Sequence, residues 1–308
     1  MEYQKFLEQV TRRIRAQVKE GTQVWVFPIR KNNGILFDSL SILEQGENIS
    51  SAIYLNGYYQ EYQRGIPLEQ ITREIMDSYQ KGRPWKQPDL SSFLQPALAR
   101  KRIVCRLINY EKNKELLQKI PYRRFLDLAI VYYYLLEWEE PGAATILVSN
   151  DHLRLWDMKE ELLYETARNN TRELFRWYFA SMEELLESVM GQEADCMEGH
   201  LPLYVLTNQE KKYGAVWITE PDVLEEVGKA LQADFYILPS SVHECMIVPD
   251  NDCAEAGVLQ EMVREINREH VAPEEILSDF IYRYDRRNGT LKLAEGEIEK
   301  GKIKLAGC

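Results

Sequence analysis

Two asparagine–glycine turn signals, each flanked by short apolar runs, constrain the fold of this 308-residue chain more than any other feature. Asn32-Asn33-Gly34 separates the runs 24–30 and 35–43, and Asn288-Gly289 separates residues 281–284 from 290–293. An Asn-Gly pair supplies the positive φ that hairpin turns need, so both places predict antiparallel hairpins. Amphipathic helical segments lie between such runs without a strict alternation of strand and helix. The sequence therefore predicts an α+β fold with hairpin-rich mixed sheets and flanking helices, arranged in two units.

The first 85 residues predict a small unit with the order helix, three strands, helix. Residues 2–19 carry apolar side chains at three- and four-residue steps, which is the period of a helix. The three strands are expected at 24–30, 35–43 and 52–55, with a two-residue turn in the first hairpin. Pro67 is expected to open the second helix, because proline lacks only a donor that the first turn leaves unpaired.

Residues 84–88 predict a linker to a larger α+β region over 90–308, and a further subdivision of that region near residue 200 stays open. Residues 123–138 are apolar on both faces and predict a strand that pairs with 144–148, with a buried helix as the competing interpretation. Further strands are predicted at 103–108, 203–206, 215–218, 235–238 and 245–248. The predicted helix caps are Ser149, Ser181 together with Glu184, and Thr219.

The overall charge limits the classes of partner. The chain has 38 basic and 49 acidic residues, a net charge of −11, and an acidic protein repels nucleic-acid phosphates and anionic lipids. We therefore expect no nucleic-acid partner and no membrane association, and the apolar run 125–136 is too short to span a bilayer. The five cysteines are scattered, odd in number and contain no Cys-x-x-Cys, which predicts reduced thiols and a cytoplasmic location.

The chain contains no phosphate-binding glycine cluster, no Gly-x-Ser-x-Gly and no His-Glu-x-x-His, so no cofactor is predicted. The most suggestive segment for chemistry is residues 238–244, between two predicted strands. Its candidate side chains are Ser240, Ser241, His243 and Glu244, because a serine beside a histidine can act as a nucleophile with its base. The competing interpretation is a structural turn in which a serine hydroxyl bonds the backbone and His243 packs or faces solvent.

A metal site is a second alternative at the same place. Side chains able to bind zinc lie within eleven positions, at His243, Glu244, Cys245, Asp250, Asp252 and Cys253. Their spacing matches no compact zinc module, and Cys245 falls inside a predicted strand. The sequence therefore predicts no bound metal.

Residues 100–124 are unusually basic, with nine Lys or Arg residues and two acidic residues. Such a segment is able to grip phosphate groups. Residues 137–200 carry fifteen acidic and five basic residues, and they are equally able to neutralise the basic segment within the chain. We favour the intramolecular pairing because it needs no partner.

An ordered set of sequence blocks carries a family resemblance. The blocks are Asn32-Asn33-Gly34, Asn48-Ile49-Ser50, Pro121 to Ala129, Ala167 to Thr171, Leu203 to Asn208, Leu238 to Glu244, and Leu277 to Asp285. Together they make the whole chain resemble a bacterial family catalogued only as a domain of unknown function, and the later blocks are also similar to a second uncharacterised bacterial family. The resemblance implies a cytoplasmic bacterial protein, and it carries no activity, catalytic residue or ligand.

The leading functional hypothesis is a non-catalytic cytoplasmic protein that binds a macromolecular partner or its own copies. The alternative is a hydrolase-like or metal-assisted enzyme centred on residues 240–244, and a third hypothesis is a nucleic-acid contact through residues 100–124. Convergence of the four candidate side chains in a concave pocket would favour the enzyme, whereas a contiguous basic face would favour nucleic acid.

Overall fold

The computed structural model describes residues 1–47, 50, 52–82, 90–136, 144–185, 202–251 and 255–294. Within these residues the chain forms α-helices and three antiparallel sheets, which confirms the predicted α+β class with hairpin-rich sheets. The chain divides into two compact units. The first takes its described residues from Met1–Ser92 and Leu136–Ala144, and the second from Phe93–Leu135 and Thr145–Cys308. The predicted linker at 84–88 lies outside the described residues.

The first unit contains a three-stranded sheet in the order β1-β2-β3 and three helices around one core. The elements are α1 (Tyr3–Arg15), β1 (Gln23–Arg30), β2 (Leu36–Leu43), β3 (Ile53–Tyr54), α2 (Leu55–Gln63) and α3 (Leu68–Gly82). The apolar steps predicted for the first helix are the buried ones, and the core consists mainly of Phe6, Val10, Ile14, Leu40, Ile42, Ile71 and Ile75.

Two details of this unit differ from the sequence prediction. The first hairpin is present, but residues 31–35 form a longer loop with a 3-10 turn at Asn32–Gly34 instead of a two-residue turn. Asn33 and Gly34 adopt φ values of 60° and 72°, so the Asn-Gly signal identifies the bend correctly. Helix α2 was not predicted because Leu55 is its single buried residue, which leaves little amphipathic signal.

The second unit contains a four-stranded and a six-stranded sheet. In the first of these, β6 (Leu128–Leu135) pairs with β4 (Ile103–Asn109), β5 (Tyr122–Phe125) and β7 (Thr145–Leu147). The other has the order β13-β12-β10-β11-β9-β8, formed by β8 (Trp177–Ser181), β9 (Tyr204–Asn208), β10 (Phe235–Leu238), β11 (Cys245–Pro249), β12 (Tyr282–Asp285) and β13 (Thr290–Leu293). The longer helices are α4 (Glu160–Leu174), α5 (Pro221–Leu231) and α6 (Ala256–Glu269), and shorter ones span Ser91–Leu94, Pro96–Ala99, Lys114–Leu117 and Asn150–Leu155.

Within the predicted segment 123–138, the described residues up to 135 form paired strands and not a buried helix. Strand β6 pairs with β7 as predicted, but the chain also bends at Leu126 and Asp127 to form the unpredicted hairpin β5–β6. Leu126 adopts a φ of 54°, a conformation that a branched side chain disfavours, and no glycine or asparagine marks the turn in the sequence. The bend therefore has no turn signal in the amino-acid sequence.

Residues 215–218 form a 3-10 helix, Gly214–Thr219, and not the predicted strand. All four residues are buried, and a short run that is apolar throughout has the same appearance in a buried strand and a buried helical turn. Thr219 does not cap the next helix, since its hydroxyl donates to the carbonyl of Val216 and Glu220 occupies the cap position. The caps at Ser149 and Ser181 are confirmed by their side-chain to backbone hydrogen bonds.

Candidate functional site

The segment that carries the four candidate side chains is an extended connection between β10 and β11. The amide of Val242 donates to the carbonyl of Glu275 at 2.9 Å, and the amide of Leu277 donates to the carbonyl of Ser240 at 3.0 Å. Backbone hydrogen bonds therefore join the connection to the neighbouring segment 275–277.

The two serines are buried in this connection. Ser240 is 6% exposed and Ser241 is 7% exposed. The Ser241 hydroxyl oxygen accepts a hydrogen bond from the amide of His243 at 3.0 Å, which is a local side-chain to backbone contact typical of serine. Among the hydrogen bonds of the described residues, neither hydroxyl contacts the imidazole, so no nucleophile–base pair is formed.

The imidazole of His243 is occupied at both nitrogens. Nδ1 accepts from the amide of Tyr213 at 3.2 Å, and Nε2 lies 3.3 Å from a carboxylate oxygen of Glu275. The ring also packs on the ring of Tyr213, with 5.0 Å between centroids. Because Nδ1 is an acceptor, the neutral tautomer carries its proton on Nε2 and donates it to Glu275. These contacts fix the orientation of the imidazole.

Glu244 is partly buried, and this burial raises the pKa of its carboxyl group. The nearby Glu275 raises the pKa further, whereas His243 and Lys211 lower it. Within the described part of the chain, no hydrogen bond joins the Glu244 side chain to those of Ser240, Ser241 or His243. The structure thus brings the four candidates into one segment without the mutual geometry that nucleophilic catalysis requires.

The proposed metal ligands do not assemble into a site among the residues that the structure describes, which contain no group of three or more His, Cys, Asp or Glu side chains able to hold a metal. Cys245 is fully buried in β11, and burial raises the pKa of its thiol, which works against the thiolate that zinc needs. Asp252 and Cys253 lie outside the described residues.

His243 is the end of a column of stacked side chains that sequence analysis did not identify. The guanidinium carbon of Arg106 lies 3.6 Å from the centre of the Tyr213 ring and 4.2 Å from the centre of the Tyr133 ring. We call Tyr133, Arg106, Tyr213 and His243 the Arg106 column. Two tyrosine rings therefore lie against the guanidinium, an arrangement that favours the cation electrostatically.

Arg106 has no carboxylate partner among the described residues. Burial lowers the pKa of its guanidinium, whereas Tyr213 and Tyr133 raise it, and the group stays protonated at neutral pH. The column thus holds a largely desolvated positive charge that no acidic side chain of the described chain neutralises.

The arginines of α4 provide the contrast. Arg168 binds Glu220 through two nitrogens at 2.7 and 2.8 Å, and Arg172 binds both Glu220 and Asp222. Their hydrogen bonds with these carboxylates raise the pKa of both guanidinium groups. Arg168, Arg172 and Glu220 line a small pocket together with Cys105, Tyr164 and Trp217. Glu220 and Asp222 neutralise the two arginines, so the pocket carries no excess charge for a ligand.

Strand β5 carries two exposed arginines that also lie over tyrosine rings. The guanidinium carbon of Arg123 is 4.3 Å from the ring centre of Tyr164, and that of Arg124 is 4.0 Å from the ring centre of Tyr110. Tyr122 on the same strand is 37% exposed and packs against Tyr110. We call Tyr110, Tyr122, Arg123, Arg124 and Tyr164 the β5 surface.

The basic segment 100–124 does not form one continuous face. Arg123 pairs in register with Ile130 and Arg124 with Ala129, and successive residues of a strand point to opposite faces of the sheet. The ion pairs seen in this segment join Lys112 to Asp279 and Lys114 to Glu111, and neither partner belongs to the acidic segment 137–200. These two lysines therefore do not form the ion pairs with residues 137–200 that the sequence predicts.

A second cluster that sequence analysis missed surrounds the half-buried carboxylate of Asp127. It accepts hydrogen bonds from the hydroxyls of Ser278 and Tyr282, both at 2.6 Å, and burial raises the pKa of its carboxyl group. Ser278 and Tyr282 are fully buried, and the cluster links the β5–β6 turn to the start of β12. All three residues stand in the sequence blocks of the family resemblance, which was the one available signal.

No helix within the described residues is long and apolar enough to cross a membrane. Comparison with curated proteins and with solved structures finds no match. A family model does match, over residues 3–286, which is nearly the whole chain and includes the 240–244 segment, the Arg106 column and the β5 surface. The resemblance drawn from the sequence blocks is thereby confirmed, and the chain belongs to DUF5688, a family of unknown function.

Proposed function

We propose that the protein is a non-catalytic cytoplasmic bacterial protein that binds an acidic segment of a protein partner through the β5 surface. The observation that carries the proposal is the pairing of both exposed β5 arginines with tyrosine rings and not with carboxylates of the described residues. Tyrosine and arginine are enriched at the centres of protein interfaces, where they contribute much of the binding energy.

The contacts of the β5 surface also favour binding because they reduce the side-chain entropy that is lost when a partner binds. A tyrosine ring restricts the orientation of each guanidinium, so less side-chain entropy is lost when a carboxylate binds. Arg123 and Arg124 point to opposite faces of the sheet, but β5 is an edge strand, and its edge away from β6 has no strand partner among the described strands. A segment bound along this edge is therefore able to contact both arginines. Charge complementarity then selects a carboxylate-rich partner.

The alternatives receive less support from the geometry. For the enzyme, the serines, His243 and Glu244 are engaged in backbone, ring and ion-pair contacts that do not form a catalytic pair. For nucleic acid, the net charge of −11 opposes the approach of a phosphate backbone. The free, buried thiols of Cys105 and Cys245 agree with a reducing compartment.

The test is affinity capture from the host with the full-length chain and two doubly substituted variants. Arg123→Glu/Arg124→Glu reverses the charge of the β5 surface. Arg287→Glu/Lys292→Glu makes the same change in net charge at two exposed residues near the β12–β13 turn. We expect a directly binding protein that is recovered by the wild type and the control variant but reduced at least tenfold with the β5 variant.

The identity of the bound segment completes the test. Cross-linking should place a carboxylate-rich stretch of the partner on β5, and binding should weaken as salt is raised because exposed charges are screened. Recovery of nucleic acid alone, recovery of only a second copy of this chain, or equal recovery by the β5 variant would each contradict the proposal.

A further inference from the structure

We propose that Arg106 binds an oxyanion group, a carboxylate or a phosphate, at its guanidinium beside the Tyr133 and Tyr213 rings. This binding site is separate from the β5 surface and needs no protein partner. It would take a small molecule or an ionised group that carries two or more oxygens in one plane.

No acidic side chain among the described residues neutralises the charge of Arg106. Removing a charged group from water is costly, and buried charges in proteins are therefore paired. Arg168, Arg172 and Arg283 each bind carboxylates at 2.5–2.9 Å. Arg106 differs from these three because it is the more enclosed side chain and lacks an acidic partner among the described residues. An anionic ligand supplies the missing charge.

The guanidinium N–H groups of Arg106 are able to donate hydrogen bonds to a ligand. The guanidinium lies against two tyrosine rings and forms no ion pair among the described residues, so its N–H groups are available to a ligand. Arginine presents five donors in a planar fork, and the fork matches the two oxygens of a carboxylate or phosphate. Arg106 is half-buried, so part of its side chain is open to solvent.

The loop that carries the Tyr213 ring is held in place by its surroundings. Lys211 and Tyr213 adopt φ values of 53° and 57°, which non-glycine residues rarely do. Asn208 holds this loop by donating to the carbonyl of Lys212 at 2.7 Å and accepting from its amide at 3.0 Å. The His243 ring also packs against the Tyr213 ring, with 5.0 Å between their centroids. Strained backbone that surrounding contacts maintain is frequent at ligand sites, where it holds the binding groups in place.

The experiment measures thermal unfolding of the purified full-length chain in increasing inorganic phosphate and, separately, in increasing succinate. Chloride keeps the ionic strength constant, so that only specific binding shifts the midpoint. We expect a saturable rise in the midpoint with at least one of the two anions, and the responsive anion identifies the phosphate or the carboxylate class.

Two substitutions at Arg106 and one control locate the effect. Arg106→Met removes the charge and should abolish the rise, whereas Arg106→Lys keeps the charge without the fork and should weaken binding at least tenfold. Arg287→Met makes the same change in net charge at an exposed residue and should retain the rise. If Arg106→Met does not fold, the lysine variant alone decides. No rise with either anion in the wild type, or an equal rise in the lysine variant, would overturn the proposal.

Discussion

Asp127 is a carboxylate whose burial opposes its own ionisation. Burial raises the pKa of the folded group above the unfolded value of about 3.9, although hydrogen bonds from Ser278 and Tyr282 act in the opposite direction. Between these two pKa values the folded chain binds more protons than the unfolded chain. The contribution of Asp127 to stability is therefore present at low pH and is lost as pH rises through the folded pKa.

Replacing the Asp127 carboxylate tests whether its contribution to stability falls as the pH rises. We expect the free energy of unfolding of the wild type to fall relative to that of Asp127→Asn as the pH is raised from about 4 towards 7. Urea unfolding of both proteins at several pH values gives the difference directly, and the contributions of all other titratable groups cancel in it. A difference that grows in favour of the wild type with rising pH would show that the carboxylate is stabilised as an anion.

The hydroxyl of Tyr282 is the second residue-scale test. Tyr282→Phe leaves the half-buried Asp127 without one of its two short hydrogen bonds, and we expect it to cost about 1.5–3 kcal/mol, the usual range for a hydrogen bond to a charged group. Tyr178→Phe on β8 is the matched control, with an expected change within about 0.5 kcal/mol. Equal effects of the two substitutions in urea unfolding would refute a special role for the Asp127 contact.

Sequence analysis located the 240–244 residues but not their contacts. The Ser241 to His243 bond lies within one segment, and the preference of serine for such bonds makes it predictable. The partners of the imidazole, Tyr213 and Glu275, are 30 and 32 positions away in the chain, and their approach depends on the order of strands in the sheet. No local pattern contains that information.

At the scale of elements, Gly214 shows how a close approach of two segments sets a local structure. A Cβ atom at this position would lie 2.4 Å from the Thr207 hydroxyl oxygen and 2.5 Å from the amide nitrogen of Asn208. The 3-10 helix Gly214–Thr219 therefore packs on the end of β9 only because residue 214 has no side chain.

Gly214→Ala should consequently be strongly destabilising, by about 1–3 kcal/mol or more, because backbone atoms have to move. Gly257→Ala in α6 is the control, since nothing lies within 4 Å of its added Cβ, and it should be neutral or stabilise by up to about 1 kcal/mol. Chemical denaturation compares the two. A Gly214→Ala protein as stable as the wild type would be incompatible with this packing.

The elements that sequence analysis predicted well have a periodic or capping signal of their own. Helix α1 has an apolar stripe, and Ser149 and Ser181 cap their helices through contacts three residues long. The elements that were predicted wrongly, or not predicted, lack such a signal. Residues 215–218 are apolar on every side, and the β5–β6 turn contains Leu126 at a positive φ where a glycine or asparagine would have marked it.

At the scale of the whole molecule, the cysteines test the predicted compartment. Burial raises the pKa of the Cys105 thiol to about 12 and raises that of Cys245 as well, so both should react slowly with thiol reagents in the native protein. After unfolding without reductant, mass spectrometry should count five alkylated thiols, the number of cysteines in the sequence. A stable intramolecular disulfide would contradict the cytoplasmic location that we propose.

The binding sites proposed here arise only when distant segments are brought together. Arg106, Tyr133, Tyr213 and His243 come from two strands, a loop and the β10–β11 connection, and the two sheets of the second unit determine their approach. The sequence did identify residues 100–124 as an unusually basic segment. It did not show that tyrosine rings take the place of carboxylates beside three of its arginines.

One capture experiment tests most directly whether the β5 surface, and not the 240–244 segment, carries the function. His243→Ala removes the imidazole contacts, and we expect it to cost about 1 kcal/mol of stability and to recover the partner as the wild type does. Arg123→Glu/Arg124→Glu should remain folded and lose the partner. Loss of the partner with a stable His243→Ala protein, together with its retention by the β5 variant, would contradict this assignment and favour the enzyme.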